Sequence, residues 1–266
     1  MGRGPRSEMN LEGRVALVTG GGSGIGRATA AALGAAGTAI VVADIDDDGG
    51  QATARIVEEA GGRAAFVRTD VTRWEDIAAM ISFAEQTFGR LDILHNNAGI
   101  NAGWPRFPEA PRERWDRTVA INLWAVIAGT QAAVPAMRRA GGGVIVNMAS
   151  LAGLVAYDVD PIYAATKHGV VGLTRGLAFL REEANIRVNC ICPSFVDTPL
   201  PRRRLAQMPP EERERWEASL ARIPMISAEE VADAVLEFVR DDALAGAVMA
   251  VTHGRPRYLV PVPSLQ

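Results

Sequence analysis

Seven short apolar runs constrain this chain more than any other feature. They lie at 14–19 (RVALVT), 38–43 (TAIVVA), 64–69 (AAFVRT), 91–95 (LDILH), 143–148 (GVIVNM), 186–192 (IRVNCIC) and 247–252 (AVMAVT). Most are nearly continuous Val, Ile, Leu and Ala, without the polar alternation of a strand that has one wet face. Such runs suit a parallel sheet buried on both sides. Parallel neighbours need long crossovers. Stretches with helical patterning fill the gaps at 24–36, 46–60, 73–88, 111–139, 162–183 and 227–239. The alternation predicts an α/β fold, a single-domain doubly wound parallel sheet of about seven strands with helices on both faces. At 266 residues the chain can bury such a core. The domain is expected over 10–255, with tails at 1–9 and 256–266. Residues 197–226 are polar and proline-rich and interrupt the rhythm. They are expected to form a lid above the carboxyl ends of the strands, where such sheets bind ligands.

Composition narrows the partners. A net charge of −3 gives no long-range pull toward nucleic acid or an anionic membrane. No run of about 18 uncharged apolar residues is present, so no membrane span is expected. The opening MGRGPRSEMN lacks the apolar stretch of a signal peptide. Cys190 and Cys192 lie two apart on one apolar run, so they point the same way and are poorly placed to bridge. They read as reduced structural thiols of a cytoplasmic protein. The three histidines, His95, His168 and His253, are scattered, and no metal site is expected.

The stretch TGGGSGIG, 19–26, sits between the first apolar run and the first helix. Gly20, Gly24 and Gly26 let another body approach the backbone without a Cβ in the way. The unpaired N–H groups of a helix start favour an anion there. In a strand–turn–helix setting this is the Rossmann-type signal for a dinucleotide pyrophosphate, although a glycine pattern alone also fits a tight turn with no ligand. Asp44 ends the second apolar run, 18 residues after Gly26. A carboxylate there accepts hydrogen bonds from ribose hydroxyls and repels a 2′-phosphate. Ser23 before Gly24 and Ile45 after Asp44 supply no cation for that phosphate. The reading is NAD rather than NADP.

A second cluster carries chemistry. Tyr163 and Lys167 in PIYAATKHG are four apart at the start of a helical stretch and share a face. Alone this is an ordinary surface pair. A phenol with an ordinary pKa of about 10 is a poor base at neutral pH, and a neighbouring ammonium favours its ionised form. Ser150 ends the fifth apolar run, 13 residues before Tyr163. Asn122 lies inside the long fourth helical stretch, where Asn is a mediocre former. NNAG, 96–99, ends the fourth run.

Together, TGxxxGxG, NNAG, the helical Asn, the Ser and YxxxK resemble the classical short-chain dehydrogenases/reductases over residues 10–252. The resemblance implies a tetrad of Asn122, Ser150, Tyr163 and Lys167. Tyr163 would be the general acid/base and Ser150 would orient the alcohol or carbonyl oxygen. Lys167 would bind the nicotinamide ribose and lower the Tyr163 pKa, and Asn122 would anchor a water in a proton relay to Lys167. It further implies cofactor contacts from Gly20, Ser23, Gly24, Ile25, Gly26, Asp44, Ile45, Asp70, Val71, Asn97, Ala98, Gly99, Val119, Pro193, Val196 and Thr198. NMASLAGL, PIYAATKHGVVGLTR, IRVNCICPSFVDT and DDALAGAVMAVT are similar to the NAD-dependent 15-hydroxyprostaglandin dehydrogenase group. The chain departs from that group at Asp160, where a Gln that helps hold the substrate hydroxyl is expected, and at Ser194, where the family has Gly. His95 replaces a small aliphatic residue, and the tail lacks the usual VDGG.

The expected substrate is a small-molecule secondary alcohol or its ketone, with no nucleic acid or membrane partner. Candidate walls are Trp104, Phe107, Leu151, Tyr157, Asp160, Phe195 and Trp216, and the aromatic members also fit ordinary core. Arg202–Arg204 could meet a substrate carboxylate or form a solvated face with Glu211, Glu212 and Glu214. The long fourth and fifth helices imply a homodimer or homotetramer by family analogy. An NADP-dependent carbonyl reductase, a sugar-nucleotide epimerase or dehydratase, and a non-catalytic NAD(H)-binding sensor are the rival readings. Asp44 argues against the first. The little length left after residue 190 argues against the second, and the complete tetrad against the third.

Overall fold

The computed structural model describes residues 8–262. Of the expected tails at 1–9 and 256–266, residues 1–7 and 263–266 lie outside the described residues. Seven parallel strands form around the seven apolar runs: β1 (Val15–Thr19), β2 (Ala39–Asp44), β3 (Ala64–Arg68), β4 (Ile93–Asn96), β5 (Gly143–Met148), β6 (Ile186–Pro193) and β7 (Val248–Val251). An eighth, β8 (Tyr258–Leu259), pairs antiparallel with β7 through Met249 and Ala250. The sheet therefore runs past residue 255, into the expected tail. Two residues offer no periodicity from which to read a strand. The order is β3-β2-β1-β4-β5-β6-β7-β8. Chain direction across the sheet reverses between β1 and β4, and the crevice that opens there is where ligands bind doubly wound sheets.

The crossovers are α1 (Gly24–Ala35), α2 (Asp47–Glu59), α3 (Trp74–Phe88), α4 (Arg112–Val119), α5 (Ala125–Arg139), α6 (Pro161–Gly176) and α7 (Leu180–Ala184). The lid segment holds α8 (Pro199–Leu205) and α9 (Pro210–Leu220), and α10 (Ala228–Arg240) follows. A π-helical segment, Ala120–Trp124, joins α4 to α5. By length and composition the stretch Arg112–Arg139 could cross a membrane, but half of its apolar window is buried inside the fold. Ala128, Ala133 and Met137 pack with Leu94 and Ile145 of the sheet, which accounts for the apolar face.

Strand alternation divides the core. Val18, Ile93 and Val146 face α1 and α10, while Leu17, Leu94 and Ile145 face α3 and α5. Arg187 crosses the first layer and caps the end of α10, donating to the carbonyls of Phe238, Val239 and Asp241. His95 sits between Val18 and Val146 in register and is fully buried. Its Nδ1–H donates to the Val146 carbonyl at 2.9 Å, and Nε2 has no partner among the described residues. Burial holds its pKa near 4, against an ordinary 6.5, with the Val146 bond opposing the shift.

The unfolded chain therefore takes up a proton that the fold refuses between about pH 6.5 and 4. Stability from this group is intact above pH 6.5 and is lost as pH falls through that window. The loss amounts to about 3 kcal/mol. A His95→Val variant should lack this component, seen as a flatter urea-unfolding free energy between pH 7 and 4.5.

Candidate active site

The glycine turn is stitched to the end of β4. Asn97 Nδ2 donates to the Thr19 and Gly20 carbonyls at 2.9 and 3.1 Å. The Thr19 hydroxyl accepts from the Asn97 and Ala98 amides and donates to the His95 carbonyl. These bonds press the turn onto Ala98, so close that a Cβ on Gly20 would lie 2.8 Å from the Ala98 Cα. Gly20 also has φ +62°, a left-handed conformation that favours glycine. At Gly26 a Cβ would meet the Gly20 carbonyl oxygen at 2.2 Å, so this glycine packs beneath the turn rather than lining the cleft. Thr19 is the hub that sequence reading missed. It was visible only as the polar residue ending the first apolar run.

The two neighbouring helix starts differ. Asp46 caps α2 by accepting from the Gly49 amide, and Asp47 and Asp48 occupy its first turn. Ser23 makes no cap bond at α1, whose first turn holds no acid. Ser23, Gly24 and Ile25 at the start of α1 line the cleft, and the unpaired amides of a helix start favour an anion there. Asp44 lies at the same end, accepting from the Gly22 and Asp46 amides at 2.8 and 3.0 Å. The arginines that bond this corner are already engaged. Arg27 reaches Thr53 and the Gly22 carbonyl, and Arg68 reaches Asp47 and the Ile45 carbonyl. An uncapped helix start beside glycines and a carboxylate fits the pyrophosphate and ribose of a dinucleotide.

The cleft has a volume of about 580 Å³ and runs from this corner to the lid. Of the expected contacts, Gly20, Ser23, Gly24, Ile25, Asp44 and Ile45 line it, as do Asp70, Val71 and Asn97–Gly99. Ser150, Leu151, Tyr157, Asp160, Tyr163 and Lys167 line its other end, with Pro193, Phe195, Val196, Thr198 and Trp216 above. Besides Gly26, four do not line it. Val119 is exposed on α4, and Ile121, two residues on in the π-helical segment, faces the cleft instead. Trp104 lies outside the lining, and Phe107 is half exposed. Asn122 is buried behind the cleft wall.

Tyr163 and Lys167 take their places because Asp160 caps α6, accepting from the Tyr163 amide at 3.0 Å, with Pro161 at the first turn. Ser150 caps the short 3₁₀ turn Leu151–Gly153 through the Ala152 amide. Gly153 lets that turn touch α6, since a Cβ there would lie 2.6 Å from the Lys167 carbonyl oxygen. This brings Ser150 and Tyr163 to the same end of the cleft, where the Ser150 hydroxyl favours the ionised phenol. Lys167 Nζ donates to the Met148 carbonyl at 2.7 Å and lies 5.5 Å from the Tyr163 ring centre.

The electrostatics correct one expectation. Burial pushes the Tyr163 phenol well above its ordinary value, against the opposing Ser150 hydroxyl. Burial also lowers Lys167 to about 8. The pair in the bare protein is a neutral acid beside a weakened cation, not a preformed phenolate. Asn122 has a structural task besides its expected role. Its Oδ1 accepts from the Ile100 amide and its Nδ2 donates to the Ile100 carbonyl, at 2.8 and 2.7 Å. Nδ2 also reaches Thr166 Oγ1, which donates to the Tyr163 carbonyl. The side chain is thus committed to holding the loop after β4 against α6.

The model of the short chain dehydrogenase family matches residues 14–209. The chain belongs to the short-chain dehydrogenase family. It is 39% identical over 243 residues to the cis-4-hydroxycyclohexanecarboxylate dehydrogenase of Sinomonas cyclohexanicum, covering 91% of this chain and 96% of that one. It is 34% identical over 259 residues to the NAD(+) 15-hydroxyprostaglandin dehydrogenase of Mus musculus, covering 92% and 91%. The crystal structure of levodione reductase superposes with a TM-score of 0.83 at 32% identity, covering 91% and 96%. The short-chain dehydrogenase relatives support an oxidoreductase using a nicotinamide cofactor on small-molecule alcohols.

Asn122→Ala removes two bonds to half-buried Ile100 and one to buried Thr166. It should lower unfolding free energy by about 1–3 kcal/mol in urea titrations.

Proposed function

We propose that the protein is an NAD-dependent secondary-alcohol dehydrogenase using Tyr163 as acid/base, without a metal. One observation carries this reading. Ser150, Tyr163 and Lys167 stand together at one end of a cleft whose other end holds Asp44. The cofactor supplies the hydride acceptor when bound. Tyr163 takes the hydroxyl proton as the carbinol C–H leaves, and the alcohol becomes a ketone. Ser150 keeps the substrate oxygen in line with the phenol. Lys167, four residues on, presents a cation whose weakened hold on its proton suits a relay near neutral pH. Because burial keeps the phenol protonated, its activation depends on positive charge brought close when the ternary complex assembles.

NAD is favoured over NADP by the acids gathered at the end of β2. Asp44 is followed by Asp46, Asp47 and Asp48, whose like charge disfavours a 2′-phosphate, and the nearby Arg27 and Arg68 are already engaged. Oxidation is the direction that NAD favours. Buried, unbridged Cys190 and Cys192 fit the proposed cytoplasmic setting. Exposed Val119, Trp124 and Ile127 along the α4–α5 stretch fit a homodimer or homotetramer built on helices.

The test is NADH formation from a panel of cyclic, aryl, steroid and fatty-acid secondary alcohols, with NAD and NADP in parallel. Tyr163→Phe should lower kcat at least ~100-fold while NADH still binds. Retained turnover would exclude the phenol as acid/base. Asp44→Ala should move the NADP-to-NAD ratio of kcat/KM toward NADP by about tenfold or more. A wild-type preference for NADP would overturn the cofactor assignment.

A further inference from the structure

The lid buries a charge beside the reacting end of the cleft. Arg204, in α8, is 6% exposed, although α8 is otherwise a surface helix. Its guanidinium is enclosed by three cleft-lining residues. It lies over the Trp216 ring at 5.3 Å, stands 3.8 Å from Asp160 Oδ2, and interacts electrostatically with Tyr157. A guanidinium has five N–H donors in a rigid fork. Among the described residues Arg204 makes one hydrogen bond, from Nη2 to the Val159 carbonyl at 2.7 Å, and its buried Nε has no partner. Asp160 does not use the rest. Its oxygens already accept from the Ala102 and Tyr163 amides, at 2.8 and 3.0 Å, and its distance from Arg204 exceeds a hydrogen bond. Burial accordingly weakens the guanidinium's hold on its proton.

A buried arginine with most of its donors idle is costly unless an acceptor fills the fork. Water or a neutral carbonyl would satisfy one or two donors. A carboxylate would satisfy two and also balance the charge. Arg203, exposed beside it and lining the same cleft, forms no ion pair among the described residues. At this end of the cleft Arg203 and Arg204 face one acid, Asp160, leaving a surplus of positive charge. The site is also short. Asp160 is three residues from Tyr163, and the Tyr157 ring lies 6.4 Å from the Tyr163 ring. Leu205, Leu220 and Phe195 supply apolar walls.

We propose that Arg204 forms a carboxylate subsite in the cleft, so that the preferred substrate is a secondary alcohol on a compact apolar frame bearing a carboxylate away from the carbinol. The inference rests on the alcohol-dehydrogenase reading and narrows its substrate class. Arg204 binds rather than reacts, and Asp160 holds it toward the cleft without neutralising its donors.

The experiment compares 4-hydroxycyclohexanecarboxylate with its methyl ester and with cyclohexanol, as kcat/KM with NAD. A calorimetric arm titrates cyclohexanecarboxylate and its methyl ester into the protein, with and without NADH. The acid should exceed the ester by at least about tenfold in both arms. Arg204→Gln should bring the acid-to-ester ratio close to one, and Arg204→Lys should keep part of it. Arg202→Ala, which breaks only the exposed pair with Asp197, should leave the ratio unchanged. A ratio taken within each variant is insensitive to the fraction that folds. If Arg204→Gln yields no folded protein, the wild-type ratio still decides. Equal handling of acid and ester by the wild type, or a ratio that survives Arg204→Gln, would overturn the proposal. Failure to oxidise acid, ester and cyclohexanol alike would sink the dehydrogenase reading, while the binding ratio would still judge the subsite.

Discussion

The hydrogen bonds between Asn97, Thr19 and Gly20 join the two strands at which the sheet reverses its winding. One side chain takes up two carbonyls at the end of β1, and one hydroxyl serves amides and a carbonyl of the chain leaving β4. Without them the glycine turn would be free to lift from Ala98. The amides at the start of α1 would then lose their common direction, and an anion site made of backbone works only while its donors converge. The rest of the cleft is built outward from this seam. Asn122 fixes Ile100, the next residues of the same chain, against α6. Asp160 fixes Ala102 to the start of α6.

Asp160 is the counterpart of that seam at the opposite end. Its two oxygens join the loop after β4, the first turn of α6 and the lid helix α8. A Gln there would offer only one oxygen to the two amides. The departure from Gln at this position is a structural anchor whose oxygens are taken by the Ala102 and Tyr163 amides. A buried arginine and a buried acid therefore share the wall nearest Tyr163, and the phenol itself stays neutral within the bare protein.

Much of this was legible in the sequence. Continuous Val/Ile runs admit few structures besides a parallel sheet, and each of the seven formed a strand. Ser150, Tyr163 and Lys167 were legible because strand ends and one helix face bring them together, whatever the loops do. What failed to show depended on long-range contacts. Arg204 lies in a run of three arginines that reads as a solvated face, and only folding brings it under Trp216 and against Asp160. Val119 and Ile121 exchange roles because the π-helical segment changes which side faces the cleft. The upward displacement of Tyr163 followed from burial, which spacing along a chain does not report.

The antiparallel β8 ends the sheet in a particular way. It is two residues long, exposed, and bounded by Pro256 and Pro261, which have no amide hydrogen to offer a neighbour. An edge so short and interrupted is a poor template for another strand. A wide sheet of nearly uninterrupted aliphatic strands is the kind of surface on which chains aggregate edge to edge. Here the last strand closes that route at its own edge, leaving β3 as the edge with the longer open backbone.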